Sequence, residues 1–409
     1  MIRLIFFLIF FIGANVLNTI HVDSFLFSYF ILVMSLLSIL LEKNLGQTLK
    51  QRKPEIYIIL SIVILLVYRY FTGILTDSVR SSMILLITPI ILLLLPNQLA
   101  LKKDLKLSHQ ILKIILIFYI VECGIAITEY GIRGHIFLWI DTSFESHIYG
   151  SQGGSSFRSF ALHGSPLTNA LIVTTLNSFI IISSLKDKYK LFLWALGFAA
   201  VMAFNARAAT IVTCFLFIVY LLKLISNKRT SLPTKLSIYF GTVSFAGLVS
   251  YLVVFHGLGS RLFKSQLLDQ ASGQKRLDVF SIFEYQGITE FLTGRSMNRF
   301  KLIQENAGLT IIENFWICEI ILFGLIFVIL FALLYIRLLK IHLKRYTLYN
   351  AAIVSISFLL LASTNNSLFT QYIPLLLFSL SAYLFRPGLF ELILPPKYIT
   401  NPPIKHLHK

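Results

Sequence analysis

Cationic side chains recur in this sequence at places where an apolar chain rarely puts them. Arg158 stands in GSSFRSFALHGSPLTNA, just ahead of a long apolar segment. Arg207 sits among small residues in AFNARAAT, between two further apolar segments. Lys275 and Arg276 lie in ASGQKRLDVF, and Arg295 and Arg299 in LTGRSMNRF. A guanidinium offers a planar fork of donors that grips phosphate oxygens, and it never loses its charge. Placed at a membrane surface, such a set suits a lipid phosphate or pyrophosphate. The competing use is ordinary: these groups can snorkel to lipid headgroups or pair with Asp278, Glu284 and Glu290. Arg207 fits that use least, because Asn205, Ala206, Ala208 and Ala209 leave room for a ligand to approach.

The acidic counterpart is in TIIENFWICEIILFG. Glu313 and Asn314 stand where a long polar stretch gives way to an apolar one. A carboxylate there is pushed toward the neutral form by desolvation and toward the charged form by arginines. It can serve as general base toward a hydroxyl, or simply sit in a helix's first turn and favour the dipole. Glu319, six residues on and on another face, is costly inside a span and so a second candidate. His163, beside Gly164, reads either as a proton-transfer group or as a polar residue at a helix start. Cys123, Cys214 and Cys318 fall inside apolar runs and read as small core residues, with no disulfide or metal spacing. No P-loop, HExxH or dinucleotide fingerprint is present.

These residues need elements to hold them, and the composition says which. Of 409 residues, 56% are hydrophobic and only 13% charged, against about 45–50% and about 25% in soluble domains. Mean hydropathy is +0.80. Apolar runs long enough to cross a ~30 Å hydrocarbon core recur along the chain, without the alternation of barrel strands. The pattern predicts an all-α polytopic membrane protein in one integral domain, with about twelve helices. They fall near residues 2–20, 25–41, 56–72, 82–99, 111–128, 163–184, 190–204, 208–225, 236–256, 312–335, 347–363 and 370–385. The first run lacks a convincing small-x-small cleavage site and reads as a retained helix.

A net charge of +18 would suit nucleic acid if it were spread evenly, but it is not. With a cytoplasmic N-terminus, Lys and Arg crowd the short loops of one side, among them Arg52, Lys53, Lys102, Lys103, Lys186, Lys188, Arg345 and Arg386. That is the positive-inside rule, and it places both termini in the cytoplasm. Two long loops then face outward, 129–162 and 256–311. Long loops of compact proteins are usually functional or disordered. These carry Trp139, Phe144, Phe280, Phe283 and Phe291, which argues for ordered loops packed over the helix ends, the larger with helices of its own.

The order of motifs resembles the bacterial O-antigen polymerase and O-antigen ligase superfamily. RSFALHGSPLTNA, NARAAT, KRLDVFSIFEYQGITEFLTGRS and ENFWICEIILFG carry the likeness, which spans about Arg158 to Gly324. It implies a metal-independent, inverting membrane glycosyltransferase with no cofactor. The donor would be an oligosaccharide on undecaprenyl pyrophosphate, at the outer face of the bacterial inner membrane. Arg158, Arg207 and Arg276 match arginines thought to hold the pyrophosphate, and Glu313 takes the place of the base. Lys275, Arg295, Arg299, Asn314, Glu319 and His163 are secondary candidates. Membrane lipids and a chain-length regulator protein are the implied partners, and nucleic acid is not. Ligases of this family usually carry histidine where Glu313 stands, which favours a polymerase of O-antigen, capsule or exopolysaccharide repeats. The alternatives are a ligase and a transporter of lipid-linked sugars. A transporter would show internal repeats, and the two halves do not align in hydropathy.

Overall fold

The computed structural model describes residues 1–42, 45–72, 75–95, 103–137, 157–226, 232–256, 279–309, 312, 314–394 and 396–399. Among them the chain is helical almost throughout, and extended backbone pairs only at one antiparallel bridge, Leu185 with Ile399. The first helices are α1 (Ile2–Phe11), α2 (Ala14–Thr19), α3 (Ser24–Leu40), α4 (Leu45–Gln51), α5 (Lys53–Phe71), α6 (Leu75–Leu93) and α7 (Lys103–Ile132). The middle of the chain gives α8 (Pro166–Ile182), α9 (Asp187–Ala203), α10 (Arg207–Ser226) and α11 (Leu232–His256). After a 3-10 segment, Val279–Tyr285, come α12 (Ile288–Thr293) and α13 (Met297–Asn306). The last helices are α14 (Phe315–Phe323), α15 (Leu325–Leu343), α16 (Leu348–Ser363), α17 (Ser367–Thr370), α18 (Ile373–Leu384) and α19 (Leu389–Ile393).

Four of these are long and apolar enough to cross a membrane: Lys53–Phe71, Leu105–Ile132, Arg207–Ser226 and Leu325–Leu343. A fifth results if α3 and α4, bent by 111°, form one span. Six shorter apolar helices or helix parts accompany them. The outward faces agree with lipid as solvent. On α10, Ile211, Phe215, Ile218, Leu222 and Ile225 form a helical stripe, each more than half exposed. Such a stripe has no place in water, yet sits at no cost against acyl chains.

Each predicted run contains a helix, but not each is an uninterrupted span. The first run breaks at Gly13. A Cβ there would lie 2.1 Å from Leu162 O and 2.6 Å from His163 Nδ1, so a distant segment presses into the break. The run expected over 312–335 divides at Gly324, with φ +86°. The helix expected from residue 163 starts only at Pro166, whose fixed φ suits a first helical position. Ser165 caps it, its Oγ accepting from Thr168 N at 3.3 Å.

Helix α8 is the hub. It packs against α7, α9, α10, α16 and α18, and nearly every residue from Pro166 to Ile181 is buried. Its sequence, PLTNALIVTTLNSFIII, has no charge and no polar face, as a helix enclosed on all sides requires. Small and hydroxyl residues let its neighbours come close. At Gly197 of α9 a Cβ would be 2.0 Å from Tyr119 Oη and 2.5 Å from Asn177 Nδ2.

Candidate functional site

Residues 157–165 run ahead of α8 without forming a helix, buried between α1, α2, α7 and α9. Backbone of this kind is tolerated at membrane depth only when protein satisfies its polar groups. Helix α7 does so with two acids on one face, two turns apart. Glu129 Oε2 accepts from Phe160 N at 2.8 Å, Ala161 N at 3.0 Å and the Ser159 hydroxyl. Its other oxygen accepts from Ile136 N at 3.0 Å. Glu122 Oε2 accepts from Leu162 N at 3.3 Å. The carbonyls are met from the opposite wall. Asn15 Nδ2 lies within 3.1 Å of Phe160 O, Ala161 O and Gly164 O, and Asn169 also donates to Phe160 O.

This scaffold fixes Arg158, which is only 4% exposed. Its Nε donates to Phe204 O at 3.0 Å, and Ser159 N donates to Ala203 O at 3.1 Å. Both acceptors belong to the turn between α9 and α10, where Asn205 adopts φ +54° and Arg207 opens α10. Arg158 is therefore anchored to the turn from which Arg207 opens α10. A cavity of about 240 Å³ adjoins it, lined by Ile127, Tyr130, Gly131, Arg133, Ala199, Ala203 and Leu252. Arg133 lies over the Tyr130 ring, 4.1 Å from its centroid. His135, just beyond α7, stacks on Phe157 at 5.0 Å. Burial lowers its pKa, with Glu129 acting against that shift. His163 is fully buried: Nε2 lies 2.9 Å from Phe10 O, and the ring meets Phe118 edge-on at 5.4 Å.

The second part of the site lies around the start of α14. Asn314 caps that helix, its Oδ1 accepting from Ile317 N at 3.2 Å. Glu319 is 3% exposed, and its charged neighbour is Arg69 of α5. Arg69 is 1% exposed and clamps the end of α14 to the turn after α12, donating to Leu322 O and, at 2.7 Å, to Arg295 O. Here Gly294 and Gly324 cross, both at positive φ. A Cβ on Gly294 would be 2.4 Å from Leu322 O, and one on Gly324 2.4 Å from Leu292 O. Arg295 and Arg299 turn to Glu290, at 2.9 and 3.7 Å, which is the pairing their sequence left open.

The two parts share a wall. In the turn after α16, Asn365 O accepts from Phe315 N at 3.1 Å. Ser367 accepts from the Thr168 hydroxyl at 3.0 Å, and the Gln371 side chain lies against Gly164. Glu313, Lys275 and Arg276 lie outside the described residues. Among the described residues no group of His, Cys, Asp or Glu is placed to hold a metal. No protein-family model matches the chain, and no curated protein shows significant similarity to it.

Sequence reasoning passed over Arg69, Glu122, Glu129, Arg133 and Asn15. Four of them carry one legible signal, an ionisable side chain within or at the edge of an apolar run, which marks function or structure at depth. Asn15 carries none, since an asparagine near a helix break is commonplace.

Proposed function

We propose that this chain is a membrane glycosyltransferase that polymerises lipid-linked oligosaccharide repeats of O-antigen, capsule or exopolysaccharide. The observation that carries the reading is the seam between Arg158–Ser159 and the Phe204 turn, which anchors Arg158 to the turn from which Arg207 opens α10, with a cavity against Ala203. Guanidinium forks on one turn suit the oxygens of a pyrophosphate. The donor is an oligosaccharide on undecaprenyl pyrophosphate. A sugar hydroxyl of a second lipid-linked unit attacks the anomeric carbon, forming the new C–O bond as the bond to pyrophosphate breaks. The leaving group departs as an anion balanced by arginines. Glu313 takes the hydroxyl proton, a contribution of typically ~10²–10⁴-fold.

The same reading sets about twelve crossings in the bacterial inner membrane, with both termini cytoplasmic and the site on the outer face. Its support is the polarity of α5 and α9. Each has Lys or Arg at its first end, Lys53 and Lys186, and reaches a site arginine at its last, Arg69 or the Arg207 turn.

The test is polymer length on a gel, in a strain lacking the chain and complemented with variants. Glu313→Gln keeps the shape and removes the basicity, so it should reach the membrane normally and yield single repeats. Long polymer from that variant would remove Glu313 as base. Arg207→Lys should also shorten the polymer, because a point charge does not copy the fork.

A further inference from the structure

The basic residues at the opposite end of the bundle do more than mark a membrane side. Arg52 and Arg386 bracket the Tyr383 ring, their guanidinium carbons 5.7 and 4.6 Å from its centroid. Both arginines are buried, at 5% and 9% exposure. His342, 1% exposed, meets the same ring edge-on at 5.6 Å, and neither of its ring nitrogens has a hydrogen-bond partner among the described residues. Arg345 is exposed at the rim, its Nη1 3.9 Å from where a Cβ on Gly388 would be.

The acids nearby do not balance these cations. Glu55 pairs with Arg52 at 3.3 Å, and Arg52 also donates to Leu95 O at 3.0 Å. Glu391 accepts from Ser184 and from Gly388 N. Arg386 makes no ion pair with a carboxylate among the described residues, and its charged neighbours are Arg345 and Arg52. A buried guanidinium facing two others calls for an anion. Pro387 and Gly388 are exposed beside the cluster, and Gly388 takes φ +87°. Helices α5, α15 and α18 all have ends beside this cluster, which puts it at headgroup level for a bundle that spans the membrane.

We propose that Arg386, Arg345 and His342 form a phosphate-binding site at this end of the bundle, taking a lipid headgroup phosphate or a free phosphate. Two forks supply charge-assisted donors to a tetrahedral oxyanion, and the His342 imidazole supplies one more hydrogen bond. The site is independent of the polymerase reading.

The full chain is placed in phosphatidylcholine nanodiscs. One arm adds phosphatidic acid, and the other titrates inorganic phosphate. Binding is read from the rise in unfolding midpoint and from bound mass by native mass spectrometry. Wild type should saturate in one arm: the lipid arm identifies a headgroup, the other arm free phosphate. Arg386→Gln should weaken binding about tenfold or more, because it removes a charge-assisted hydrogen-bond donor. Arg345→Gln at the rim should weaken it by roughly threefold. Lys113→Gln, an exposed charge on α7, should bind as wild type. The proposal fails if neither arm shifts the wild type, or if both arginine variants bind as it does. Should Arg386→Gln not fold, the wild-type titration and exposed Arg345 decide alone.

Discussion

Residues 157–165 and the crossing of 292–295 with 321–324 face one problem and solve it with opposite charges. The first is non-helical backbone and the second is where the ends of α12 and α14 cross, and inside a membrane bundle an unsatisfied N–H or C=O is expensive in either. In the first, the groups met by a charge are donors, and Glu129 accepts from Phe160 N and Ala161 N, while the Asn15 amide meets the carbonyls. In the second they are acceptors, and Arg69 donates to Leu322 O and Arg295 O. A buried acid or base in a membrane helix is therefore not by itself a catalytic sign. What matters is whether its polar atoms are already committed to backbone. Glu129 and Arg69 are so committed, and Arg158 is anchored to Phe204 O through Nε.

The comparison can be broken by substitution, with reversible unfolding in mixed micelles as the readout. Glu129→Ala should cost most, at least about 3 kcal/mol, because several buried donors lose one acceptor group together. Gly324→Ala should follow at about 2 kcal/mol or more, from a positive φ and a Cβ driven into Leu292 O. Arg69→Met keeps the stem and removes the donors, and should cost about 1–3 kcal/mol. If Arg69→Met is neutral, the crossing holds itself together and the analogy with Glu129 fails. Arg299→Gln should change stability by at most a few tenths of a kcal/mol, since its pair with Glu290 is long at 3.7 Å and Arg299 is partly exposed.

Much of the frame was legible in the apolar runs. Helices α3, α5, α16 and α18 lie within a few residues of their predicted places, because run length and charge-free composition suffice to mark a membrane helix. The breaks were not. A glycine inside an apolar run is read as a small local cost, and its reason at Gly13 is the backbone of Leu162, far along the chain. The segment Asn365–Gln371 carries no motif of its own, yet it joins the start of α14 to the start of α8. Arg158 and Arg207 were singled out for their neighbours in sequence, but their convergence depends on Glu129, which the reading of α7 as a plain apolar helix left out.

The enclosure of α8 has a consequence for how the chain is made. Its Thr168, Asn169, Thr174, Thr175, Asn177 and Ser178 are shielded in the finished protein, partly by α16 and α18. Those two helices leave the ribosome long after α8 does. During synthesis α8 must wait in the bilayer with polar side chains uncovered, a state in which an insertase or a membrane chaperone is needed to hold it. Nascent chains stalled at residue 347 should crosslink from Asn177 to such a factor, and full-length chains released from the ribosome should not.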